Sequence, residues 1–139
     1  MIEQVLIAGF GGQGILSTGQ LLAYAGMMEG KHVAWIPAYG PEMRGGTANC
    51  GVTVSDTEIS SPLVTEPNAL MVMNQPSLAK FENAVLAGGI IITNSSLVEL
   101  PPKRSDLGYL PPTPSRRNWV TCASRRMWRW VLSSDTAER

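Results

Sequence analysis

An α/β fold, with a doubly wound, mostly parallel sheet and helices on both faces, is predicted by three features of this 139-residue sequence. A β-branched apolar run, Val5 to Ala8, flows into glycines and then into apolar residues at helical spacing. A second short apolar run, His32 to Ile36, follows one helix length later. The alternation then returns with Ala69 to Met73, a proline-started helix and Ile90 to Thr93. Strands alternating with single helices of these lengths make right-handed crossovers between parallel strands.

The first strand ends in Gly9-Phe10-Gly11-Gly12-Gln13-Gly14, in which Gly9, Gly11 and Gly14 have the G-x-G-x-x-G spacing of a Rossmann-like turn. In that spacing the first glycine permits the sharp turn, the second lets the backbone approach a ligand, and the third lets helix pack on strand. A helix over residues 15–28 follows, with Leu16, Leu21, Leu22, Ala25 and Met28 as its expected apolar face and Gly30 as its C-terminal cap. The free N–H groups at its start make the turn an anion site. A dinucleotide site also needs an acid at the tip of the second strand to hold the ribose hydroxyls. Here that tip is Pro37-Ala38-Tyr39-Gly40, so NAD is not expected. A tight turn that binds nothing is the alternative.

The loop after the second strand leaves the sheet at the same edge as the glycine turn, where ligands of open α/β folds bind. It holds Tyr39, Gly40, Glu42, Arg44, Gly45 and Gly46, and Arg44 is the one arginine among the first hundred residues. A guanidinium beside bare glycine amides suits a phosphate or carboxylate. The structural alternatives are an ion pair of Arg44 with Glu42 or Asp56, or a contact between subunits. Cys50 to Ser55 alternates as a strand with Cys50, Val52 and Val54 on one face. Cys50 reads as a small core residue, and Ile59 to Pro62 reads as a short edge strand. Asn74-Gln75-Pro76-Ser77 starts a helix whose expected apolar face is Leu78, Phe81, Val85 and Leu86, ending at Gly88-Gly89.

Composition narrows the function classes. At 44% hydrophobic, the chain can bury one core. No stretch reads as a membrane span or signal peptide, so no membrane association is expected. Two cysteines, Cys50 and Cys122, provide neither a disulfide framework nor a metal site, which points to a reducing, cytoplasmic setting. The zero net charge hides a split. Residues 1–100 hold three basic and eight acidic side chains, and residues 101–139 hold eight basic and three acidic. Such a break can mark a basic arm for nucleic acid or membrane, the former recognisable by affinity that falls steeply with salt.

The Gly9 to Gly14 turn together with Tyr39-Gly40-Pro41-Glu42-Met43-Arg44-Gly45-Gly46-Thr47-Ala48-Asn49-Cys50 resembles the gamma subunit of 2-oxoacid:ferredoxin oxidoreductases. The loop wording, the Val54-Ser55-Asp56 turn and Asn74 to Ser77 are most similar to the 2-oxoglutarate and branched-chain members, with 2-oxoglutarate the expected substrate. The resemblance implies an enzyme that turns a 2-oxoacid and coenzyme A into acyl-CoA and CO2 and passes electrons to ferredoxin. It implies alpha and beta subunits, with or without a delta subunit, as partners, which carry thiamine diphosphate, Mg2+ and 4Fe-4S clusters. It further implies that Gly9, Gly11, Gly12, Gln13 and Gly14, with Tyr39, Gly40, Glu42, Arg44, Gly45 and Gly46, lie near the coenzyme A approach without covalent roles. No catalytic or metal residue is expected, no nucleic acid is bound, and the isolated chain is expected to be inactive. A stand-alone nucleotide- or coenzyme A-binding module is the competing reading.

The resemblance spans residues 3–106, so the chain divides into an incomplete gamma-type domain, 1–106, and a basic tail, 107–139. Gamma subunits continue with a strand and apolar helices. Here residues 110–139 are rich in Pro, Arg, Trp and Ser, without apolar periodicity. Permitted codons for Ser115 to Asp135, read one nucleotide earlier, can encode an amphipathic helix and then an apolar one. A frame change soon after Asp106 is therefore preferred to a functional basic arm. The tail is expected to pack poorly, to leave a sheet face bare and to make the chain marginally stable.

Overall fold

The computed structural model describes residues 2–38, 47–94, 98, 99, 101–104 and 108–110. The elements are β1 (Ile2–Phe10), α1 (Ile15–Met28), β2 (His32–Ala38), β3 (Thr47–Ser55), β4 (Ala69–Val72), α2 (Gln75–Phe81), β5 (Ile90–Thr93) and β6 (Gly108–Leu110). They form one six-stranded sheet in the order β2-β3-β1-β4-β5-β6. Helix α1 shares a core with Ile7, Cys50, Val52 and Met71 on one face. Helix α2 shares a second core with Leu6, Leu70, Val72 and Ile91 on the other. The doubly wound plan follows from this alternation, because β1 and β4 are buried on both faces.

The sheet is more mixed than the sequence pattern suggests. β1 and β2 point the same way, but they are not neighbours: β3 lies between them, antiparallel to both. The parallel neighbour of β1 is β4, followed by β5 and β6. Alternation along β3 correctly assigns its faces, with Cys50, Val52 and Val54 toward α1. Periodicity carries no information about which strand lies alongside.

Helix α1 has the expected limits and buries only part of the expected face: Leu22 is in the core and Leu16 packs against it. Its buried residues are Ile15, Gly19, Leu22, Ala23 and Gly26, whereas Leu21 and Met28 are exposed. A Cβ on Gly19 would lie 2.5 Å from Cys50 Sγ, and one on Gly26 would lie 2.9 Å from Val33 Cγ2. Small residues let the helix approach β2 and β3 closely, and the large side chains are turned outward as a result. Gly30, at φ +75°, ends the helix as expected, with the Lys31 N–H donating to Gly26 O.

Two further expectations are corrected. Ile59 to Pro62 forms no strand. From the stretch that follows, Val64 packs into the space left by the missing Cβ of Gly51, which would fall 2.9 Å from Val64 Cγ2. The second helix also ends early: a 3-10 turn over Glu82–Ala84 follows Phe81, and Val85 is extended. Arg104 explains this ending. Its guanidinium donates to Glu82 O at 3.2 Å and Val85 O at 2.6 Å, and its N–H donates to Glu82 Oε1 at 2.7 Å. Those bonds satisfy carbonyls that a longer helix would have used. Leu86, expected on the apolar face, is exposed while Val85 is buried. The Asn74 cap is as expected, its Oδ1 accepting from the Ser77 N–H at 2.9 Å.

Beyond residue 106, Gly108–Leu110 pair in parallel with Ile90–Ile92, so the sheet gains a strand from the start of the tail. The expectation for residues 111–139 lies outside the described residues. Among the described residues of β5, Ile90 and Ile92, on the α1 side, are only 8% and 6% exposed. No helix of the described residues is long and apolar enough to cross a membrane.

Within β3, Thr53 is fully buried and its hydroxyl has no hydrogen-bond partner. An unsatisfied buried hydroxyl costs on the order of 1–3 kcal/mol, and valine has the same shape. Thr53→Val is expected to raise the melting temperature, by about 4–8 °C for each kcal/mol gained. A melting temperature that falls would show that the hydroxyl has a partner in solution.

Candidate functional site

At the C-terminal end of β1 the chain enters the glycine turn at Gly9, which is buried against the start of α1 and the end of β4. A Cβ there would meet Gln13 Oε1 at 2.6 Å, Ile15 Cδ1 at 2.7 Å and Met73 Cβ at 2.8 Å. Gln13 closes the turn on itself, its Oε1 accepting from the Phe10 N–H at 2.8 Å and its own N–H donating to Phe10 O at 3.3 Å. Gly12 and Gly14 have φ of +88° and +78°, where L side chains are strained. The division of labour therefore differs from the expected one. Gly9 provides close packing, and Gly14 provides the backbone reversal into α1.

The start of α1 carries no side-chain cap and no acid in its first turn. Thr18 instead bonds Gly14 O, through its N–H at 2.9 Å and its hydroxyl at 2.8 Å. The exposed glycines Gly11, Gly12 and Gly14 leave this positive helix end open to an anion. The turn itself contains no ionisable side chain. It can bind and orient a ligand, but it provides no nucleophile and no acid or base.

Strand order places a topological switch point beside this turn. β1 and β4 are parallel neighbours, yet α1 leaves β1 toward one face and α2 leaves β4 toward the other. Such a switch point is where open α/β sheets bind ligands. Asn74 sits at the end of β4, 4% exposed, with its Oδ1 spent on capping α2 and its Nδ2 without a partner. Sequence reasoning took Asn74 only as a helix start. Its place at this edge became visible once β4 was known to be the neighbour of β1.

The second loop is rooted at the same edge. Phe10, the last residue of β1, pairs with Thr47, and Ala38, the last of β2, pairs with Asn49. Both ends of the 39–46 segment are thereby fixed beside the glycine turn. Tyr39, Gly40, Glu42, Arg44, Gly45 and Gly46 all fall within that segment, outside the described residues. Asp56, one suggested partner of Arg44, pairs with Lys31, whose ammonium holds the Asp56 carboxyl below the usual carboxylate range. Cys50 is fully buried and donates to Ile15 O at 3.5 Å. Burial pushes its thiol up to about 11, against smaller opposing effects from the Trp35 indole and the Gly19 backbone. A thiol so placed stays protonated and serves packing.

Residues 4–126 match the family described as pyruvate ferredoxin/flavodoxin oxidoreductase. The chain belongs to this family. The ketoisovalerate oxidoreductase subunit VorA of Methanothermobacter thermautotrophicus is 54% identical over 93 residues, which are 67% of this chain and 20% of that protein. The 2-oxoglutarate synthase subunit KorC of Methanothermobacter marburgensis is 36% identical over 99 residues, 70% of this chain and 53% of that one. The gamma subunit of a keto/oxoacid ferredoxin oxidoreductase from Geobacter sulfurreducens superposes with a TM-score of 0.66 at 28% identity. That superposition covers 78% of this chain and 58% of the other. As a member of the family, the chain thus spans about a fifth of VorA and about half of the KorC and gamma proteins. The family match runs past residue 106, into the segment that the sequence reading set apart.

Proposed function

We propose that this chain is a gamma-type subunit of a multi-subunit 2-oxoacid:ferredoxin oxidoreductase, and that its two edge loops hold the phosphate-bearing end of coenzyme A. The observation that carries the reading is the rooting of both loops at one switch-point edge, with the Phe10–Thr47 pair joining the glycine turn to the Arg44 loop. The open end of α1 offers N–H groups, and the sequence of the second loop adds a guanidinium at Arg44 and glycine amides at Gly45 and Gly46. Groups of these kinds suit a phosphate.

The reaction forms acyl-CoA and CO2 from a 2-oxoacid and coenzyme A and delivers electrons to ferredoxin. In this reading thiamine diphosphate, Mg2+ and the clusters sit on alpha, beta and delta-type partners. The residues here do not fit a 4Fe-4S cluster, which takes four thiolates: the sequence has two cysteines, and Cys50 is a buried, protonated packing group. This chain therefore orients coenzyme A and completes the assembly. The higher identity to VorA than to KorC draws the substrate from 2-oxoglutarate toward a branched-chain 2-oxoacid. The frame change in the tail stands as a proposal beside this one. It is supported by the loss of apolar periodicity and tested by sequencing the coding DNA between Asp106 and Arg116 for an indel.

The decisive variant is Arg44→Ala, made in a subunit that assembles with its partners. Removing one charge-assisted contact to a phosphate costs about 1.5–3 kcal/mol, which is roughly a ten- to hundredfold rise in KM for coenzyme A. KM for the 2-oxoacid should stay unchanged. An assembly defect with unaltered coenzyme A kinetics would show that Arg44 is an interface residue.

A further inference from the structure

We infer that the flank formed by the outer face of α1 and the open edge of β2 is the face by which this domain packs permanently against a larger, uncharged protein surface, that of a partner subunit. The inference rests on the gamma-subunit reading and adds to it the docking surface.

Charge is the first observation. Neither the 14 residues of α1 nor the 7 of β2 include an Asp, Glu, Lys or Arg. At the chain's own 16% charged, about three would be expected there. Helix α1 lies chiefly over β3 and β2, and β2 is the last strand of the sheet, so the two elements share one flank.

Exposure is the second. Leu21, Tyr24, Met27 and Met28 are 55%, 63%, 62% and 76% exposed, and they make up half of the large exposed apolar side chains among the described residues. Residues 21, 24 and 28 recur at three and four, so they line one stripe of the helix. The close approach forced by Gly19 and Gly26 leaves these side chains no place in the core. Side chains of this size, exposed by half or more, present several hundred Å², at the upper end of what a monomer shows to water.

Edge geometry is the third. All seven residues of β2 are exposed or half-buried, and among the described residues no strand pairs with its outer side. Free-standing edges are usually blunted by charge or a bulge. β2 has only Pro37, near one end.

The occupant follows from chain length and area. In VorA the segment matched at 54% identity makes up a fifth of the protein, so this fold occurs there beside a much larger mass of polypeptide. A standard interface removes about 800 Å² from each partner. The α1 stripe alone falls short of that, so the partner must cover the β2 edge as well. An apolar flank without charge matches permanent interfaces rather than transient ones. The stripe lies about 9–20 Å along α1 from its start, clear of the glycine turn, so docking leaves the ligand edge open.

The test co-expresses the chain with the remaining subunits of the same organism's 2-oxoacid oxidoreductase, with the affinity tag on another subunit. Wild type and Leu86→Glu, a charge placed on an exposed leucine away from α1, should co-purify equally. Leu21→Glu with Met28→Glu should reduce co-purification at least tenfold, and Met28→Lys alone should reduce it measurably. Both altered chains should keep the far-ultraviolet circular dichroism and melting temperature of the wild type, because these side chains are exposed. In the wild-type assembly, amide exchange over β2 should slow relative to the free chain. Equal co-purification of all variants overturns the docking face and leaves the subunit reading intact. A free wild-type chain that sediments as a dimer, broken by the α1 substitutions, overturns it in favour of a second copy. Failure of the wild type to co-purify overturns the subunit reading and the docking face together.

Discussion

Gly9→Ala is expected to destabilise the domain by about 2–3 kcal/mol and to distort the candidate ligand edge at the same time. The added Cβ would stand below 3.0 Å from atoms of Gln13, Ile15 and Met73. Gln13 Oε1 could swing aside, but only by giving up its bond to the Phe10 N–H, which closes the turn. Met73 Cβ cannot swing, because it is attached directly to the backbone that leaves β4. Overpacking of this kind typically costs 1–3 kcal/mol, and the lost turn bond adds about 1. The reduced freedom of the unfolded chain returns about 0.4–1 kcal/mol. The balance is a large share of a stability on the order of 5–15 kcal/mol, so the melting temperature should fall by roughly 10–20 °C. Gly12→Ala provides the contrast. Nothing lies within 4 Å of its would-be Cβ, so its only cost is the positive φ, about 1–2 kcal/mol. If Gly9→Ala melts within 2 °C of wild type, the turn is looser than its packing indicates.

That contrast shows which parts of the fold were legible in the sequence. Strand, turn and helix were readable from Val5 to Met28, because glycine spacing and periodicity are local signals. The shared edge of the two loops was also readable, since it follows from strand direction alone. The neighbours of β1 were not. An antiparallel β3 between β1 and β2 depends on which strands the chain pairs with from Thr47 onward, and no local pattern records that. The buried face of α1 was read correctly at Leu16 and Leu22 and misread at Leu21 and Met28, for a different reason. Hydrophobic periodicity weighs large side chains, whereas this helix is held by Gly19, Ala23 and Gly26, whose contribution is close approach. Of the candidate site, the glycine turn was found and its glycine roles were rearranged. Asn74 was missed as an edge residue because strand order, rather than sequence proximity, brings it beside Gly9.

The second large effect is expected at that close approach. Gly19→Ala should improve the intrinsic helix propensity of α1 by about 1 kcal/mol, and an isolated helix would be the better for it. In the folded chain the new Cβ would lie 2.5 Å from Cys50 Sγ and 2.8 Å from Trp35 Nε1. Cys50 is fully buried and has no room to retreat, and the half-buried Trp35 side chain packs against the same core. The helix must therefore move outward, which thins the contacts of Leu22 and Ala23 with β3 and weakens the Cys50 bond to Ile15 O at the first turn. Overpacking costs about 1–3 kcal/mol and exceeds the propensity gain, so the net change should be destabilising by about 1–2 kcal/mol, or roughly 5–15 °C. The cause can be isolated by a double-mutant cycle. Cys50→Ala alone leaves a small cavity and should cost about 1–2 kcal/mol, but in the Gly19→Ala background the sulfur's space accommodates the new methyl. The double variant should therefore be more stable than the sum of the two losses by about 1 kcal/mol. Strict additivity would mean that the barrier is Trp35 rather than the thiol. A Gly19→Ala variant more stable than wild type would show that α1 sits farther from β3 than the structure places it.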